Sequence, residues 1–211
     1  NSVNSQAVRI RRCFVRNHDD SIVVKTTAPA PQAEDIQVEQ CTIWNDWGYA
    51  LGVSYETRAA IRQVAFRHCD ILFARHWCLG VHLSDGAAVS DISFHDIGVD
   101  DLAGASQARD AYAALTHEPR LLRMAIVEDC WGHDAGRGHI RDVTVDGVTI
   151  YGRRLFASEL FGFDAEHVIE RVALRNIRLS GQPPITDAAA LRIEQNEFIN
   201  DLVIENDQVT A

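Results

Sequence analysis

The chain has 211 residues, 46% hydrophobic and 24% charged, enough apolar matter to bury a sizeable core. Thirty acidic side chains against twenty basic ones leave a formal charge of −10, which argues against nucleic acid as a partner, since a phosphate backbone needs a basic surface. No run of about 18 apolar residues is present to span a bilayer, and five cysteines, an odd number, form no dense disulfide framework.

The first residue is Asn1, and an ordered pattern is already running by Val8, so the chain reads as one solenoidal domain over 1–211 that continues upstream in a longer protein. Residues 8–15 (VRIRRCFV) recur in register at 36–43, 64–71 and 92–99, each 28 residues on, and later copies begin at Val143, Val172 and Leu202. Each copy alternates apolar and polar residues, the period-two pattern of a strand with one buried face. A second short strand follows at 21–25, 50–54 and 78–82. Repeats of this length made only of short strands and turns bury their apolar face by stacking on one another. The spacing therefore predicts an all-β chain folded as a right-handed parallel β-helix of about seven turns. The first four turns leave no room for the helical crossovers that an α/β sheet needs.

Cys13, Cys41 and Cys69 share one repeat position, continued by Ile97, Val148 and Ile177, and are expected as buried rungs of reduced thiols. Cys130 and His133 have ligand-like spacing, but no companion pair completes a zinc site, so neither a metal nor another cofactor is expected. Ile92 and Val143 stand 51 apart, which requires an insertion across 100–137. Its Ala-rich part, 102–117, predicts a short helix. Gly132, Gly136 and Gly138 mark a loop that should protrude beside the binding face, without the Gly-Lys-Ser/Thr ending of a phosphate loop.

The chemistry concentrates before the second strand of the first turn, in Asn17-His18-Asp19-Asp20. Like charges this close raise one pKa, which suits a general acid, although an Asp-rich turn also satisfies backbone amides. Aligned on Ile22, Leu51 and Leu79, the turns stack Asp20 with Tyr49 and Trp77, Asp19 with Gly48 and His76, and His18 with Trp47 and Arg75. Small residues at Ala50, Gly52, Cys78 and Gly80 predict a low floor and hence a cleft. Around it stand Lys25, Trp47, Tyr49, Arg75, His76, Trp77 and His82, the mixture of ring faces and directional donors that a sugar needs.

Residues 13–25 (CFVRNHDDSIVVK) resemble the Asp-Asp turn of the polygalacturonase-like glycoside hydrolases and their dextranase and isopullulanase relatives, and 44–52 (WNDWGYALG) resemble the turn that follows. The resemblance covers roughly 5–100; beyond that only the strand rhythm continues. It implies a secreted or periplasmic inverting glycosidase, with Asp19 as general acid and Asp20 helping to activate water. It also implies a third aspartate one turn earlier, yet no Asp precedes Asp19. Where polygalacturonases carry Gly-His-Gly and then Arg-Ile-Lys, this chain has Gly48-Tyr49-Ala50 and Leu79-Gly80-Val81-His82. Together with the charge of −10, that favours a neutral or mildly polar glycan over polygalacturonate. A polysaccharide lyase of the same architecture, or a noncatalytic β-helix that binds glycan, are the alternative readings.

Overall fold

A computed structural model describes residues 1–100 and 119–206. Every regular element among them is a strand, and every strand pairing is parallel. Numbered in chain order, one sheet stacks β1 (Ser2–Val3), β4 (Ile22–Thr26), β7 (Tyr49–Thr57), β10 (Trp77–Leu83), β12 (Arg120–Ile126), β14 (Ser158–Phe161) and β17 (Ile193–Gln195). The other stacks β2 (Gln6–Arg11), β5 (Ala33–Glu39), β8 (Ile61–Arg67), β11 (Ala88–Val99), β13 (His139–Ile150), β15 (Ile169–Arg175) and β18 (Ile199–Glu205). Four further strands, β3 (Phe14–Asn17), β6 (Thr42–Asn45), β9 (Asp70–Ala74) and β16 (Arg178–Leu179), extend the second sheet around a corner. The expected all-β class, the parallel pairing and the seven recurring strands are all present.

Period-two alternation becomes columns of like residues through the stack. Val38, Phe66, Phe94, Val145, Leu174 and Ile204 lie directly over one another. At the centre of the column the Phe66 and Phe94 rings stack 5.0 Å apart. From the first sheet Leu51, Leu79 and Leu122 meet this column in one continuous core. Because each residue repeats its neighbour's environment, burial and hydrogen bonding are satisfied together by a single register.

Corners recur as well. Ala7, Asp35, Gln63, Asp91, Asp142, Arg171 and Asp201 occupy equivalent positions and all adopt the left-handed conformation, as do Arg12, Gln40, His68, Asp96 and Asn176 five residues on. A left-handed residue breaks the strand direction, so the first column bends all seven coils at one place and the second, with Gly147, bends the first six at another.

Cys41 and Cys69 are buried rungs, and burial pushes the Cys69 thiol up to about 11, so both are inert packing groups at neutral pH. Cys13 corrects the expectation of three buried thiols: it stacks beneath Cys41 but lies on the end rung with no strand under it, and is exposed. Within the predicted insertion, β12 continues the first sheet beside β10, so the extra chain is divided between the segments before and after it. The helix expected over 102–117 lies outside the described residues.

Candidate functional site

The site begins with two asparagines in register at the ends of β3 and β6, Asn17 and Asn45. Fully buried Asn45 donates from Nδ2 to the Asp19 carbonyl (2.8 Å), Ser21 Oγ (3.0 Å) and the Tyr49 carbonyl (3.2 Å). Asn17 donates to the carbonyls of Asp19 (2.5 Å) and Asp20 (2.8 Å), and its Oδ1 accepts the Ser21 hydroxyl at 2.5 Å. The Asp-Asp turn is thus held chiefly through its backbone carbonyls, by Asn17 and Asn45.

The two carboxylates then part company. Asp20 points inward: Oδ1 accepts the Tyr49 N–H at 2.9 Å, and Oδ2 accepts the Ser54 hydroxyl at 2.7 Å and faces Lys25 Nζ at 3.5 Å. Its free side is closed by Gly48 (φ +74°), where any side chain would collide with Asp20 Oδ1. Asp19 is exposed; among the described residues its Oδ1 accepts one hydrogen bond, from the Asp20 N–H at 2.7 Å.

A bulge brings in a third carboxylate. Val24 pairs with Val53 but Thr26 pairs with Thr57, so Ser54, Tyr55 and Glu56 together oppose Lys25. Tyr55 sits at φ 41°, a left-handed conformation unusual for so bulky a residue. A bulge re-aims side chains, and here it aims Tyr55 and Glu56 into the cleft. Glu56 Oε2 accepts Lys25 Nζ at 2.9 Å. Burial pulls the Lys25 ammonium down, but the Glu56 hydrogen bond and the charges of Asp20 and Glu56 outweigh it and raise the pKa.

The resulting cleft, about 370 Å³, is lined by Asp19, Asp20, Lys25, Trp47, Gly48, Tyr55, Glu56, His76, Trp77 and Trp131. Trp77 stacks on Tyr49 at 4.6 Å and carries the Arg123 guanidinium 5.0 Å from its ring centre. Trp47 packs on His76 at 4.0 Å, with Arg75 5.9 Å from the same ring. Trp131, 61% exposed, reaches the cleft from the loop after β12. Buried Asp85 anchors that loop, accepting the N–H groups of His133 (2.5 Å), Asp134 (2.7 Å) and Thr57 (2.9 Å). The glycine-marked loop does border the cleft, as its position in the sequence predicted.

Six of the ten sequence-predicted site residues, Asp19, Asp20, Lys25, Trp47, His76 and Trp77, line this cleft together. His18 is exposed on the turn and Arg75 is buried against Trp47; neither is among the lining residues. Tyr49 and His82 are fully buried and form the layer beneath. The low floor expected at Gly80 is not open, because the Tyr49 ring fills it: a Cβ on Gly80 would land on that ring. Tyr49 Oη and His82 Nδ1 share a hydrogen bond, and the His82 ring packs tilted against Tyr55, with centroids 4.3 Å apart. Burial pushes the Tyr49 pKa well up and the His82 pKa well down, so both are neutral at neutral pH. Burial likewise pushes Tyr55 up to about 12. Trp77 and Tyr55 therefore rest on a rigid, uncharged Tyr–His pair.

Sequence reasoning did not find Glu56, Tyr55 or Trp131. The trace of the bulge is that Val53 and Thr57 are separated by two more residues than Val24 and Thr26. Trp131 is the one aromatic ring of the glycine-marked loop. Compared with known proteins, the chain matches no family model, no curated protein and no solved structure.

Proposed function

We propose that the chain is a glycoside hydrolase whose stacked sheets are the coils of a right-handed parallel β-helix, inverting in mechanism, with Asp19 as general acid. The observation that carries this reading is one cleft holding an exposed carboxylate on a fixed turn, Asp19, among the rings of Trp47, Trp77 and Trp131. Ring faces stack on the C–H faces of a sugar while carboxylates and imidazoles bond its hydroxyls. The cleft has the volume of an ordinary small-ligand site. Asp19 protonates the glycosidic oxygen as the C–O bond breaks, and a water activated by a second carboxylate attacks the anomeric carbon from the opposite face. A neutral glycan is favoured because Lys25, the cation lining the cleft, is already engaged by Asp20 and Glu56. The same engagement disfavours a lyase, which needs an unprotonated base: both carboxylates hold the Lys25 proton in place.

The test is hydrolysis of a panel of neutral polysaccharides and of dinitrophenyl glycosides, followed by NMR of the first-formed anomer. Inverted product is expected. Asp19→Asn should slow natural glycans by ~10²–10⁴-fold and dinitrophenyl glycosides far less, since their leaving group needs no proton. Equal slowing of both would remove Asp19 from the acid role. Glycan binding without any turnover would make the chain a noncatalytic module.

A further inference from the structure

We infer that Glu56, not Asp20, is the carboxylate that takes the proton from the attacking water, and that Asp20 is a positioning residue. This rests on the glycosidase reading above. Inversion needs the second carboxylate far enough from the acid to admit a water between them, a separation that a residue on a neighbouring coil can supply. The bulge in β7 delivers Glu56 to the same cleft as Asp19.

The hydrogen bonds of the two candidates decide between them. A general base needs an open lone pair directed at the water. Asp20 spends Oδ1 on the Tyr49 N–H, under the Gly48 backbone, and Oδ2 on Ser54 and Lys25; its side chain is 9% exposed. Glu56 is 21% exposed and gives Oε2 to Lys25, while among the described residues Oε1 accepts no hydrogen bond. Its neighbour there is His133 Nε2 at 3.9 Å, too far for a direct bond. Lys25 bridges both acids, holding Glu56 at Oε2 and Asp20 at Oδ2. In the step itself the water oxygen bonds to the anomeric carbon, Glu56 Oε1 takes the water proton, the glycosidic C–O bond breaks and Asp19 delivers its proton to the leaving oxygen.

The experiment uses the dinitrophenyl glycoside turned over in the panel, with and without azide. Glu56→Gln should slow this substrate and natural glycans alike, by ~10²–10⁴-fold, because water activation is common to both. Glu56→Ala with azide should form a glycosyl azide, since the anion attacks without a base; Asp20→Ala should form none. If Glu56→Ala does not fold, Glu56→Ser carries the same measurement. Wild-type rates in Glu56→Gln beside an impaired Asp19→Asn would overturn the assignment and leave the glycosidase reading standing. So would lost activity without azide product, which a role in holding Lys25 alone would give, or an azide product from Asp20→Ala instead. A wild-type chain inert on the whole panel would remove the glycosidase reading, and this inference with it.

Discussion

The two sheets run through the same coils but treat the repeat differently. The sheet from β2 to β18 keeps its apolar columns through seven rungs, bent only at fixed left-handed corners. The sheet containing β4, β7 and β10 departs from regularity where the cleft lies, with the bulge at 54–56, Tyr55 at φ 41° and Gly48 at φ 74°. Polar burial separates them as well. The fully buried polar residues, Thr26, Asn45, Ser54, Thr57, His82, Ser84 and Asp85, all belong to the coils around the cleft. Apolar columns tolerate any residue of suitable volume, whereas a buried polar group requires a particular partner in a particular place. Stability is therefore concentrated in the regular sheet and specific geometry in the irregular one.

The largest expected effect breaks the regular side. Phe66→Ala removes one of two stacked, fully buried rings from an apolar column of this sheet and should destabilise the fold by ~3–5 kcal/mol, read from urea unfolding. A cost below ~1 kcal/mol would mean that the column is loosely packed and that the contrast between the sheets fails.

A smaller effect tests the floor of the cleft. Gly80→Ala places a methyl group against the Tyr49 ring, which is held between Trp77 and His82, so the ring cannot move alone. Overpacking of this kind typically costs ~1–3 kcal/mol. Because Tyr49 supports Trp77, the near-UV circular dichroism of tryptophan should change with it. An unchanged spectrum at unchanged stability would show an unfilled floor at Gly80, the arrangement expected from the small residues of the sequence.

That contrast also explains what could be read from the sequence. A 28-residue register is set by the apolar columns, and these repeat in the chain as they do in space; seven strands, their parallel pairing and the cleft positions of Asp19, Asp20, Trp47 and Trp77 follow from it. Aligning columns gives the lateral place of a side chain, not its depth. Tyr49 falls beside Asp20 in the alignment, yet its ring turns down over Gly80 because the glycine leaves a hole that an aromatic ring fills favourably. Glu56 was invisible for the opposite reason. Two extra residues within β7 are absorbed by a shorter return to β8, so the overall repeat length hides the bulge.

The smallest effect sharpens the comparison through pH. His82 is enclosed by Tyr49 and Tyr55, its Nδ1 shares the Tyr49 hydrogen bond, and its Nε2 has no hydrogen-bond partner among the described residues. Burial, with a smaller contribution from the Arg123 charge, holds its pKa well below the ordinary 6.5. Above pH ~6.5 the imidazole is neutral in both folded and unfolded chains and exerts no pH dependence. Below it the unfolded chain takes up a proton that the folded chain refuses, so stability falls as pH falls, by ~1.4 kcal/mol per pH unit, until the folded pKa is reached. His82→Gln keeps a hydrogen-bonding group for Tyr49 and removes the titration. Groups common to both proteins cancel in the difference, so the stability advantage of the wild type over His82→Gln should be nearly constant from pH 8 to 7, begin to narrow as pH passes ~6.5 and approach a slope of ~1.4 kcal/mol per unit below that. A gap that does not change between pH 7 and 5 would show that water or a proton already reaches His82 in the folded chain, and the uncharged layer beneath Trp77 and Tyr55 would have to be abandoned.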